Sequence, residues 1–228
     1  MLILEGSNNF IHDINHIINN LVFYSEAIEL MENALDNYVV FGLGNNIPFL
    51  RSVYRNKNFR SGNYSTKFIG EEYPNGFKGV ELSKPDINRL IATTALMHYQ
   101  RKEQSILVED DEHDDSEIFD KNIITLDNSK EPYEVTVTTN EDGDYEVHIL
   151  SLSSTSAKPE TVTLTSFDWD SEEPLAYVSF KGTSTAAPEI SVQYEGRNLN
   201  TYNIRYYGSQ RSVSVFTHRE VIKYYTKC

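Results

Sequence analysis

The stretch 83-SKPDINRLIATTALMHYQRKE-103 decides how this chain folds. Ser83 and Asp86 stand at capping-box spacing, with Asp in place of the usual Glu or Gln, and Pro85 suits a first turn, where its missing N–H costs nothing. The pattern predicts a helix from here to about Glu103. Its apolar residues, Ile87, Leu90, Ile91, Ala92, Ala95, Leu96, Met97 and Tyr99, spread over more than one stripe. A surface helix confines its apolar residues to one face, so a helix apolar nearly all round expects to be enclosed.

The enclosing material lies downstream. From about residue 121, Thr, Val, Ser and Tyr alternate in short runs broken by Gly, Pro and Asn, which is the strand signature. Eight strands are expected, at roughly 122–127, 132–139, 144–151, 160–168, 174–181, 189–195, 201–207 and 210–217. The second and third join through Asn140-Glu141-Asp142-Gly143, whose D-G step is a strong hairpin signal. Tyr133, Val135 and Val137 fall on one face, as do Tyr145, Val147 and Ile149, Ile190, Val192 and Tyr194, and Tyr202, Ile204 and Tyr206. Such strands are wet on one side and dry on the other. Eight antiparallel strands and one enclosed helix point to a closed barrel wrapped around that helix, an arrangement that fills the interior and leaves no edge.

Upstream the periodicity is helical. A helix starting at Ser25 places Ile28, Met31, Leu35 and Tyr38 on one face, with Glu26, Glu29 and Glu32 outside. Tyr38-Val39-Val40-Phe41 reads as a short buried strand stopped by Gly42 and Gly44, and Asn46 with Pro48 opens a second helix carrying Phe49, Leu50 and Val53. One strand cannot form a sheet alone, so this helix–strand–helix piece reads as the end of a larger α/β unit and is expected to fray. The fold class is therefore α+β: an eight-stranded antiparallel barrel around a long central helix, preceded by a partial α/β piece.

Composition narrows the chemistry. In 228 residues there are 20 Lys and Arg against 34 Asp and Glu, a net charge of -14, which repels a phosphate backbone and speaks against nucleic acid as a partner. No run approaches the ~18–20 apolar residues of a membrane span. The single cysteine, Cys228, supports neither an internal disulfide framework nor a multi-thiolate metal site, and fits a reducing compartment. His12 and His16 have the i, i+4 spacing of a zinc pair, but Asp13 stands where a metalloprotease has Glu and no third ligand stands out. The acidic run Glu109 to Glu117 fails the calcium-loop pattern, since Asp115 occupies the glycine position. Gly42-Leu43-Gly44 lacks the third glycine of a dinucleotide fingerprint, with Ile47 in its place. No G-x-S-x-G elbow occurs, and Trp169 with Phe167 is expected to pack in the barrel wall. Catalytic, cofactor-binding and metal-binding residues are thus expected to be none.

One long run carries a family resemblance. Glu26-Ala27, ALDNYV from Ala34, NIPFLR from Asn46, Phe59 with Gly62, Ser65-Thr66-Lys67-Phe68, Tyr73-Pro74 and Gly76-Phe77-Lys78-Gly79 follow one another nearly without gaps. This run strongly resembles the α subunits of the propionyl-CoA carboxylase family, at the junction between the biotin carboxylase region and the domain after it. Downstream the match continues in order and spacing, to Tyr206-Tyr207-Gly208 in the last hairpin, so that it covers about residues 25–226.

The resemblance implies a division into a divergent segment 1–24, the incomplete end of a biotin carboxylase C-terminal subdomain at 25–70, and a BT-type subunit-docking domain at 71–228. Family members use ATP, Mg and biotin to carboxylate propionyl-CoA to methylmalonyl-CoA, with an ATP-grasp region upstream and a biotinyl Met-Lys-Met motif downstream. Here Met1, Met31 and Met97 flank no lysine, so the chain is expected to be a fragment of such an α chain holding no cofactor itself. The partner implied is the carboxyltransferase β subunit, in a hetero-oligomer without nucleic acid or membrane. By position the family's hook falls on Gln104 to Phe119, and Ile106, Leu107, Val108 and Phe119 are the expected partner-binding residues. A free-standing adaptor for the β subunit is the alternative, and a metal-dependent hydrolase using His12 and His16 a remote one. The family places such a chain in the mitochondrial matrix of a eukaryote or the cytoplasm of a bacterium.

Overall fold

The computed structural model describes residues 23–40, 45–108, 121–127, 131–153, 157–182, 190–217 and 221, with the backbone alone for 105–108. Helix α1 covers 23–37, followed by α2 (Ile47–Arg55), α3 (Lys57–Arg60), α4 (Phe68–Glu72) and the long α5 (Lys84–Val108). Eight strands come next: β1 (Asn122–Leu126), β2 (Tyr133–Thr139), β3 (Tyr145–Ser151), β4 (Glu160–Asp168), β5 (Leu175–Phe180), β6 (Ile190–Asn198), β7 (Thr201–Tyr206) and β8 (Ser209–Thr217). They close in sequence order, each antiparallel to its neighbours, and β1 pairs with β8 to complete the barrel. The expected α+β class and all eight strands are present.

Register explains the core. Val135 faces Ile149, Val137 faces Val147, Val192 faces Tyr206 and Ile124 faces Val215, so inward residues meet inward residues around the ring. Into this wall α5 presents Leu90 to Met97, eight successive residues all within 2% of full burial. Ala92 and Ala95 let strands approach the helix axis, while Leu90, Ile91, Leu96 and Met97 fill the wider gaps. Thr93 and Thr94 are polar yet fully buried. Each hydroxyl donates to the carbonyl four residues back, Arg89 O and Leu90 O at 2.9 Å, so the helix satisfies them itself.

The helix start is capped as its spacing predicts, with one change. Ser83 Oγ accepts from Asp86 N at 3.4 Å and donates to Asp86 Oδ2 at 2.6 Å, so the shorter aspartate reaches the serine hydroxyl. At the other end α5 continues to Val108, five residues past the expected stop at Glu103, because Gln104 to Val108 contain no Gly or Pro to break it. At 1.5 Å per residue the helix is about 37 Å long, three times its fully enclosed length, so both ends stand clear of the core. Among the described residues no helix is long and apolar enough to cross a membrane.

Two strands carry bulges that the alternation of residues does not reveal. One lies between Leu164 and Ser166 of β4, the other between Tyr194 and Gly196 of β6, where Gly196 has φ of 124°. Each inserts one residue and reverses the inward phase, which brings Phe167 and Trp169 into the wall. Trp169 is 4% exposed and meets Tyr194 edge-on at 5.2 Å.

The N-terminal piece departs from its expected form. Phe23 and Tyr24 are already helical, so Ser25 lies inside α1 instead of capping it. Residues 38–40 are not a strand, and Phe41 lies outside the described residues. A closed barrel has no edge to pair with such a segment. It is held instead by a barrel side chain, Gln193 Nε2, which donates to Asp36 O at 2.8 Å and Tyr38 O at 3.2 Å.

Truncating the fully buried Leu90 to Ala opens a cavity between α5 and the barrel wall and should cost about 2–5 kcal/mol in urea unfolding. Glu103→Ala, at the exposed turn beyond the mouth, should stay within about 0.5 kcal/mol of the parent.

Candidate docking site at the barrel mouths

With its interior filled by α5, the barrel offers its outer wall and two mouths. The antiparallel order puts the β1–β2, β3–β4, β5–β6 and β7–β8 turns at the mouth where α5 starts. The β2–β3, β4–β5 and β6–β7 turns ring the mouth where α5 leaves. The two mouths differ in chemistry.

At the start mouth the N-terminal helices clamp the barrel through one arginine. Arg51 of α2 is 5% exposed and ion-paired to two carboxylates of α1: Nε and Nη2 reach Asp36 at 2.9 Å, and Nη1 reaches Glu32. Glu32 also accepts from Arg60 at 3.0 Å. On its other side Arg51 lies over the Tyr207 ring at 5.5 Å, with Arg55 over the same ring at 4.9 Å. Gly208, at φ 74°, completes the contact, since a Cβ there would come within 3.0 Å of Arg51 Cβ and 3.4 Å of Pro48 Cα. Val80 O accepts from Ser209 Oγ at 2.8 Å and fastens the connection into α5.

This arrangement corrects the expected face of α1. Glu32 turns inward to Arg51, whereas Met31 is 43% and Tyr38 65% exposed; only Ile28, at 3%, is buried as the spacing predicts. Carboxylates at i and i+4 are readable as a matched pair only once their arginine is known. Burial is the largest influence on Asp36 and raises its carboxyl above the ordinary aspartate range, outweighing the lowering by Arg51. The rest of the piece is held by aromatic contacts of Phe59 with Tyr54, Tyr64 and Phe68, and of Phe49 with Tyr73 and Phe77. These rings pack on one another around the buried Phe68, with no sheet beneath them.

At the exit mouth, His98 Nδ1 is 3.1 Å from Tyr202 Oη and Tyr99 meets Tyr145 edge-on at 6.5 Å. Because the Gly196 bulge reverses the phase of β6, Arg197 pairs with the inward Tyr202 and its guanidinium lies 5.9 Å from that ring. Beyond Lys102 the helix is exposed at Glu103 and Gln104. Ile106, Leu107 and Val108 occupy its last turn. Phe119, the acidic run Glu109 to Glu117, and His12 and His16 lie outside the described residues.

A closed antiparallel barrel threaded by its own helix, with a helical piece clamped to one mouth, defines the structural class. Residues 90–221 match the family model described as the propionyl-coenzyme A carboxylase BT domain, and residues 12–71 match the biotin carboxylase C-terminal domain. The first match covers more than half of the chain, and the protein belongs to the propionyl-coenzyme A carboxylase BT-domain family. Similar curated proteins include the propionyl-CoA carboxylase alpha chain of Ruegeria pomeroyi, 50% identical over 72 residues, which are 32% of this chain and 11% of that one. The mitochondrial alpha chains of Mus musculus and Homo sapiens are 48% and 45% identical over 80 residues, in each case 33% of this chain and 11% of the relative. The chain thus spans about a tenth of the length of these relatives.

Arg51→Met should leave Asp36 without its counter-charge and Glu32 with Arg60 alone, at a cost of roughly 3–5 kcal/mol. Amide exchange should show the loss in 23–37 with β2 and β3 still protected. Asp36→Asn should cost far less. The raised folded pKa of Asp36 means that its contribution is fully present below the ordinary aspartate range and lost as pH rises through the folded pKa. Relative to D36N, the parent should therefore gain stability as pH falls from neutral, measured by urea melts across that range.

Proposed function

We propose that this chain is the assembly portion of a propionyl-CoA carboxylase α chain, and that it docks onto the carboxyltransferase β subunit. The observation that carries this reading is the coincidence of the family match at 90–221 with the helix-filled barrel, which runs from Lys84 to Thr217. In this reading residues 25–70 are the end of a biotin carboxylase subdomain and residues 71–228 the docking domain. Ile106, Leu107, Val108 and Phe119 are the contacts of the segment leaving α5.

Such a role asks for rigidity, not catalysis. A barrel closed on a packed helix holds its exit mouth in one geometry, so little ordering entropy is lost when a partner binds. ATP, Mg and biotin serve the longer enzyme, in which propionyl-CoA is carboxylated to methylmalonyl-CoA. No residue of this chain is assigned to them, and none of Met1, Met31 and Met97 flanks a lysine that could carry biotin. The mitochondrial relatives support a matrix location in a eukaryote; in a bacterium the same role belongs in the cytoplasm.

The test is titration of purified carboxyltransferase β subunit with the 228-residue chain by calorimetry. Saturable binding is expected, weakened at least tenfold when Ile106, Leu107 and Val108 are changed together to Ser. Absence of binding by the folded chain, or carboxylation of propionyl-CoA by the chain alone, would overturn the reading.

A further inference from the structure

The exit mouth carries a hairpin tip whose chemistry its fold does not explain. β6 and β7 are joined by Leu199 and Asn200, between the paired Asn198 and Thr201. Leu199 has φ of 52°, a left-handed conformation that a leucine enters at a cost and a glycine does not, and glycine is favoured at the first position of a two-residue tip. The same leucine is 82% exposed. Backbone and solvent both disfavour this residue here. A single exposed leucine is ordinary on a protein surface, but one that is also held in an unfavourable backbone conformation is not.

Two arginines stand on the side of the mouth nearest Tyr202, whereas the β2–β3 and β4–β5 turns across it carry Glu141, Asp142, Asp144, Asp170, Glu172 and Glu173. Arg197, two residues before the tip, is turned toward the mouth by the Gly196 bulge and lies over Tyr202. Arg101 of α5 acts electrostatically on the same tyrosine. Neither arginine is ion-paired among the described residues, although the chain as a whole carries a charge of -14. An apolar tip beside two cationic side chains complements an apolar pocket with a carboxylate rim.

We infer that the β6–β7 tip is a second contact of the docking face, in which Leu199 enters an apolar pocket on the carboxyltransferase subunit and Arg101 and Arg197 meet carboxylates at that pocket's rim. The inference rests on the docking reading above and adds to it a contact on the barrel itself, about a hundred residues from the segment that leaves α5.

Leu199→Gly separates a binding role from a structural one, because glycine suits the backbone at this position. The variant should melt at the same temperature as the parent or higher, while its Kd for the β subunit rises at least tenfold in calorimetry with the full chain. R101E combined with R197E should weaken binding similarly, with a shallower dependence of the remaining affinity on salt. Parent-like affinity in L199G, with binding lost in the Ile106/Leu107/Val108 variant, would overturn the inference and leave the docking reading standing. Failure of the unmodified chain to bind would overturn both. A charge-reversed variant that loses stability but not affinity would assign the arginines to the chain's own acidic residues and overturn their part in the contact.

Discussion

The interior of an eight-stranded barrel must be filled, and in this protein two turns of α5 fill it. The dependence runs both ways. Without the strands, Leu90 to Met97 would expose apolar surface on every side of a helix. Without the helix, the inward faces of Val135, Val147, Ile149, Val192, Ile204 and Val215 would line a void that neither water nor the remaining side chains could fill favourably. Helix and barrel are thus one cooperative unit. Their joining also fixes the position of both protruding helix ends.

The two ends are used differently. At the start mouth, Arg51 ties the N-terminal helices to the β7–β8 turn through Glu32, Asp36 and the Tyr207 ring, and Gly208 lets the backbones come close enough for this. The burial that raises Asp36 opposes the ion pair it belongs to, so the pair's Coulombic gain is offset by the cost of taking its charges out of water. At the exit mouth the helix runs on beyond the wall, beside Tyr202, Arg197 and the exposed Leu199.

Much of this was legible in the residues. The all-round apolarity of 87–99 announced an enclosed helix, and strict alternation in β2, β3, β6 and β7 announced its wall, because both patterns report burial directly. Strand ends were found to within a few residues, since Gly, Asn and Pro mark the turns. Phase shifts were not legible: the bulges in β4 and β6 depend on pairing with neighbours far along the chain, and a single glycine, Gly196, is a weak sign of one. The α1 face was misread for a similar reason. A glutamate on a helix looks solvated until Arg51, nineteen residues later, is known to be folded against it. The candidate contacts divide the same way. Ile106, Leu107 and Val108 stood out as an apolar trio, whereas Leu199 looks like any turn-flanking leucine until its φ and exposure are known.

Hydrogen exchange of the whole chain, alone and with the carboxyltransferase β subunit, tests the division of labour between the mouths most directly. The account predicts added protection at 98–108 and 196–203, around the mouth where α5 leaves, and no change at 47–55 and 206–211, where the N-terminal helices are already clamped. Added protection confined to the Arg51–Tyr207 mouth, with 98–108 and 196–203 unchanged, would contradict it.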